Sequence, residues 1–139
     1  MHKLESGAAL GGARLFAIAA VVLACSGASV AAQPANLEGS WSGGGKVRFP
    51  SGDTESARCR ASFRRQGGGG FSMSAICATA SVRVQQTATL ARVGPYRFSG
   101  DFHNAEYGIS GSIQITVRGK SLDASLSGGG ASASFSLGR

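Results

Sequence analysis

The sequence predicts an all-β domain, a small antiparallel up-and-down barrel of about eight strands. Three observations carry this. From residue 39 onward apolar and polar residues alternate at period two in one segment after another, as a strand with one buried face requires. Short turns rich in Gly, Pro, Asn and Asp separate these segments at hairpin spacing. No stretch after residue 32 places apolar residues at helical spacing. A two-sheet β-sandwich is the alternative architecture. The inward glycines Gly43, Gly45, Gly100 and Gly111 favour the barrel, because strands coil sharply where no side chain obstructs. Closure also removes exposed edges.

Residues 1–32 read as a signal peptide. His2, Lys3 and Arg14 give a weakly basic start, and Leu15–Ala24 is an apolar run too short to span a bilayer. Val30-Ala31-Ala32 before Gln33 fits a small-x-small cleavage site. Val22-Leu23-Ala24-Cys25 offers a second outcome, resembling a bacterial lipobox in which Cys25 is acylated. The expected destination is therefore periplasmic or secreted, or lipid-anchored through Cys25, with no transmembrane span. Residues 33–37 form a linker, and residues 38–139 the barrel domain.

The first strand alternates around the lone tryptophan. Trp41, Gly43, Gly45, Val47 and Phe49 face inward, so Trp41 is a structural core residue. Pro50-Ser51-Gly52-Asp53 turns the chain. The second strand, from about Glu55 to Arg65, turns Ala57, Cys59, Ala61 and Phe63 inward and Arg58, Arg60 and Arg64 outward. Gln66–Gly70 is a loop. The third strand places Phe71, Met73, Ala75, Cys77 and Thr79 inward. With Arg65 opposite Phe71, Phe63 meets Met73 and Cys59 meets Cys77. Directly opposed residues of a non-hydrogen-bonded pair have Cα atoms roughly 4.5 Å apart, so a Cys59–Cys77 disulfide fits without slipping the register. Cys25 leaves the count by cleavage or acylation, so an even pair remains, as an oxidising compartment favours.

The fourth strand turns Val82, Val84, Gln86, Ala88 and Leu90 to one face, although the Ala80-Ser81 link before it has poor hairpin chemistry. Val93-Gly94-Pro95 leads to a fifth strand with Tyr96, Phe98, Gly100 and Phe102 inward. After a loop at His103–Glu106, the sixth runs Tyr107, Ile109, Gly111, Ile113, Ile115, Val117 inward. The expected pairing sets Gly111 against Phe98 and Gly100 against Ile109. Gly119-Lys120 leads to a seventh strand with Leu122, Ala124 and Leu126 inward. Ser127–Gly130 leads to an eighth with Ala131, Ala133, Phe135 and Leu137 inward. Polar outer faces are the reverse of an outer-membrane barrel, whose apolar band faces out.

Gly39-Ser40-Trp41 at the start of the first strand resembles the Gly-x-Trp opening of lipocalin-like and avidin-like barrels, the calycins. The resemblance implies that an arginine near the end of the last strand packs across the tryptophan, and Arg139 is similarly placed. The wider string Gly-Ser-Trp-Ser-Gly-Gly-Gly, with Cys59-Arg60 and Cys77-Ala78, resembles small exported bacterial GxW barrel proteins of unknown function, which implies no activity.

The chain carries 14 Lys and Arg against 7 Asp and Glu, a net +7. A basic exported domain meets anionic surfaces. Nucleic acid is not expected, because the aromatics fall on inward faces rather than among the arginines. Arg58, Arg60 and Arg64 form an outward row suited to carboxylate, phosphate or sulfate groups. Chemistry is otherwise sparse. Gly45-Lys46 lacks both the leading glycine and the trailing hydroxyl of a phosphate-binding loop. Gly67–Gly70 reads as a flexible loop. Asp101, His103 and Glu106 cluster without a nucleophile or a further ligand at matched spacing, so they read as a solvated turn and neither catalytic nor metal-ligating residues are expected. The expectation is a non-enzymatic binding module, without cofactor, that contacts an anionic envelope component or a protein partner. Alternatives are an inhibitor of a periplasmic or host hydrolase and a small-molecule carrier with a cavity in the barrel.

Overall fold

The computed structural model describes residues 19–21, 27 and 33–139. Cys25, and with it the lipidation site and nearly all of the expected signal peptide, lies outside the described residues. The rest is an eight-stranded meander: β1 (Gly39–Arg48), β2 (Thr54–Arg65), β3 (Gly70–Ala78), β4 (Arg83–Arg92), β5 (Arg97–Asn104), β6 (Ile109–Arg118), β7 (Ser121–Gly128) and β8 (Ala131–Gly138). Each strand pairs antiparallel with the next and β1 pairs with β8, closing a barrel. The sandwich alternative is thereby excluded.

Alternation places one face of every strand inside. The core holds Trp41, Ala61, Phe63, Phe71, Met73, Leu90, Phe98, Ile113, Ile115, Val117 and Leu122, all buried. The rings of Phe71 and Phe98 meet edge to face at 5.3 Å, the arrangement that aromatic quadrupoles favour. Closure depends on inward glycines. A Cβ built on Gly45 would overlap the Ser134 carbonyl of β8, and one on Gly111 would overlap the Ser127 carbonyl of β7. These are the points where neighbouring strands cross closely as the sheet wraps, and only hydrogen fits there.

The β2–β3 hairpin has the expected register: Phe63 faces Met73, Ala61 faces Ala75 and Cys59 faces Cys77. The two cysteines are disulfide-bonded, with Cα atoms 4.1 Å apart. Gly67–Gly69 in the connecting loop makes a short 3-10 turn, with Gly68 at φ +73°.

Elsewhere the structure corrects the expected pattern. Phe98 faces Ile115, Gly100 faces Ile113 and Phe102 faces Gly111, so the β5–β6 pairing is shifted from the expected one. The cause is the turn. β5 runs on through His103 to Asn104, whose Oδ1 accepts the Tyr107 N–H at 3.2 Å, and Gly108 at φ +61° closes the hairpin. Gly, not the His103–Glu106 polar run, supplies the left-handed residue a tight turn needs. Tyr96 and Tyr107, expected inward, lie outside the strands and are 40% and 54% exposed.

The β3–β4 connection also differs. Thr79 and Val82 belong to a turn, not to strands, and the Thr79 N–H donates to the Val82 carbonyl at 2.8 Å. The Thr79 Oγ1 accepts the N–H groups of Ser81 and Val82 at 3.2 and 3.1 Å. A threonine hydroxyl thus does what a Gly-containing hairpin turn would have done.

Candidate functional site

The two ends of the barrel are built differently. At one end the chain before β1 lies across the opening. Leu37 is fully buried, although it falls in the expected linker. Its carbonyl accepts the Trp41 Nε1–H at 2.9 Å. The Ala35 N–H donates to the Pro95 carbonyl at 2.8 Å, and Arg92 Nη2 donates to the Ala35 carbonyl at 2.7 Å. Arg139 lies over the Trp41 ring at 4.2 Å and donates from Nη1 to the Glu38 carbonyl at 2.9 Å. This is the arginine-over-tryptophan contact implied by the calycin resemblance. Gly39, just beneath, has φ +125°, a conformation L side chains rarely adopt. Arg92 likewise covers Phe98 at 4.6 Å. With Arg65 over Phe71 at 5.9 Å, this end is sealed by three cation–π contacts and a hydrogen-bonded strap.

The opposite end carries the β1–β2, β3–β4, β5–β6 and β7–β8 turns, and it is open. A cavity of about 360 Å³ descends from it into the barrel. Its wall is mainly Val47, Val84, Phe102, Ile109, Ala133 and Phe135, and Phe49, Pro50 and Tyr107 stand at its rim. Among the described residues no charged side chain lines it. An eight-stranded barrel is just wide enough either to be filled by its own side chains or to hold one small ligand. Here the sealed half holds Trp41 and several phenylalanines, and small or polar side chains at the other end, Ala131, Ala133, Gly128 and Gln86, leave the space.

The lining includes the hydroxyls of Thr79, Ser81, Tyr107 and Ser132, and two carboxamides, Gln86 and Asn104. Gln86 occupies an inward position of β4 between Val84 and Ala88. Asn104, at the end of β5, is 3% exposed and also lines the cavity. β4 and β5 pair only from Thr87 opposite His103 onward, and the next step of that register sets Gln86 opposite Asn104. Alternation puts Gln86 on an inward face but gives it no role. A carboxamide at an inward strand position is the signal that could have found it.

The other residues singled out in the sequence lie away from this cavity. Trp41 is 1% exposed. Arg58, Arg60 and Arg64 project outward from β2 and are exposed. The one ion pair among the described residues joins Arg65 to Glu38 at 3.6 Å, both exposed. Asp101 and His103 lie on the outer face of β5, where His103 Nδ1 shares a 2.7 Å hydrogen bond with the Ser110 hydroxyl, and Glu106 lies apart in the following turn. Among the described residues no group of three His, Cys, Asp or Glu is placed to hold a metal ion. Among them, too, no helix is long and apolar enough to cross a membrane.

No protein-family model and no curated protein sequence matches this chain. Its fold is similar to that of designed barrels. One is a redesigned β-barrel, mFAP1, described as bound to DFHBI, with a TM-score of 0.62 and 12% identity over 74% of this chain and 94% of that one. Another is a fluorescence-activating β-barrel designed de novo, with a TM-score of 0.57 and 14% identity over 73% of this chain and 92% of that one. A second redesigned barrel has a TM-score of 0.59 at 13% identity over 74% of this chain and 90% of that one. At such identities the likeness is one of fold. The chain is an eight-stranded antiparallel barrel resembling designed fluorescence-activating barrels.

Proposed function

We propose that this protein is an exported, non-enzymatic binding module that takes a small, uncharged, mainly apolar molecule in the open mouth of its barrel. The observation that carries it is the apolar cavity of about 360 Å³, open at one end and sealed at the other. That volume equals about a dozen waters at roughly 30 Å³ each, and it lies within the range of small-ligand pockets. Removing apolar wall and apolar ligand from water together is the driving force. A redesigned barrel of similar fold is described as bound to DFHBI, which supports reading this barrel as a binding module. Kinship with the calycins and the exported GxW barrels belongs to the same proposal, supported by Arg139 over Trp41. Export is supported by the apolar run before residue 33 and by the disulfide, which suits an oxidising compartment.

The test is titration with the neutral fluorophore N-phenyl-1-naphthylamine. Saturable emission enhancement is expected, together with a rise in Tm, since ligand at 100 times its Kd stabilises a fold by about 2.7 kcal/mol. Ala133→Phe, which fills the cavity from β8, should abolish both. Absence of binding by the parent would overturn the proposal.

The outer face of β2 supports a second role. Arg58, Arg60 and Arg64 are exposed on one strand face, with Lys46 of β1 opposite Ser56 on the same sheet. Such a row suits an anionic envelope component or an acidic protein surface.

A further inference from the structure

The strand pattern leaves one side chain unexplained. Gln86 points into an apolar barrel, yet no hydrogen bond joins its carboxamide to the protein among the described residues, and no buried polar atom there is left without a partner. Its amide is therefore not sealed in the core but open to the cavity. Its depth can be placed. Below the cavity lies a small void of about 20 Å³, and Cys77, Gln86, Leu126 and Phe135 line both spaces. Gln86 thus belongs to the cavity floor, with the Cys77 end of the disulfide beside it. Asn104 stands at the next register position on β5. Its Oδ1 is already taken by the Tyr107 N–H, so its amide nitrogen is what it has to offer.

Resting on the cavity reading above, we infer that the cavity selects a neutral ligand carrying a carbonyl oxygen, which enters first and accepts hydrogen bonds from the carboxamides of Gln86 and Asn104. The chemistry of the donors sets the class. The Asn104 amide nitrogen and the Gln86 carboxamide, which offers an NH₂ beside its own carbonyl, together favour a ligand that carries an acceptor. Among the described residues the wall has no cation to offset a carboxylate, and a buried unpaired charge is strongly disfavoured. A plain hydrocarbon would leave the Gln86 amide covered and unpaired, which is also unfavourable. A ketone, ester or amide on an apolar body satisfies both conditions.

Three two-ring probes of one shape test this by calorimetric titration: 2-acetylnaphthalene, 2-ethylnaphthalene and 2-naphthoate. In the parent protein the ketone is expected to bind about tenfold more tightly than the hydrocarbon, the size of one net hydrogen bond, and the carboxylate more weakly than either. In Gln86→Leu and in the longer Gln86→Met the order of ketone and hydrocarbon should level or invert, with hydrocarbon binding held or improved. The Met variant preserves side-chain length, and retained hydrocarbon binding reports an intact cavity. Equal binding of ketone and hydrocarbon by the parent, or an undiminished ketone preference in both variants, would overturn the anchor while leaving the cavity as a binding site. Failure of all three probes to bind the parent would overturn the cavity reading itself.

Discussion

Trp41 shows how one side chain organises the sealed end. It is buried, its Nε1–H is spent on the Leu37 carbonyl, and its outer face is covered by Arg139. The indole is thus satisfied both as a hydrophobe and as a donor. Replacing Trp41 with Ala should cost about 3–5 kcal/mol, measured as a loss of urea-unfolding free energy. Native emission should have the short-wavelength maximum of an indole shielded from water, and an emission typical of exposed indole would contradict the burial. Arg139→Leu removes the lid and the Glu38 carbonyl contact together, and should cost about 1 kcal/mol. The alternation around Trp41 is enough to predict its burial. Leu37 reads as linker because it precedes the alternating run, and alternation says nothing about a strap folded across a barrel end.

Among the elements, the β2–β3 hairpin is the most legible. Three inward pairs agree on one register, and the disulfide follows from it. Closing a loop of 18 residues' separation should contribute about 3 kcal/mol in the chain-entropy model. A Cys59→Ala, Cys77→Ala double variant is therefore expected to lose that amount in urea unfolding, while a non-reduced digest of the parent yields a linked peptide pair. The outer face of β2 behaves independently of this core. Changing Arg58, Arg60 and Arg64 together to Ser should leave Tm nearly unchanged, since exposed charges contribute little to stability. It should weaken low-salt binding to anionic lipid vesicles or lipopolysaccharide, and equal binding by the triple variant would make the row a feature of solubility alone. β5 and β6 are less legible. Both strands have an inward glycine and large apolar neighbours, so two pairings shifted along the strands satisfy inside and outside equally. Only the turn, with Asn104 holding Tyr107 and Gly108 left-handed, separates them.

For the whole molecule, closure and the unequal ends are the decisive features. β1 and β8 meet because Gly45 allows the Ser134 carbonyl to pass over it. Gly45→Val should cost about 1–3 kcal/mol or prevent closure, and faster amide exchange in β1 and β8 would report it. The all-β class, the eight strands, the inward and outward faces, the Cys59–Cys77 pair and the burial of Trp41 all follow from the order of residues along the chain. Each is a consequence of period-two alternation and of pairing between strands adjacent in the chain, which are local properties. Closure is favoured over a sandwich by the inward glycines and is met by the β1–β8 pairing, but two features follow only from the assembled barrel: the β5–β6 hairpin turns at Ala105–Gly108, and one end is sealed while the other stays open. An inward alanine or glutamine means a tightly packed interior if large residues lie across from it and a cavity if they do not. What lies across a barrel is set by strand stagger and curvature, which arise only when all eight strands are in place.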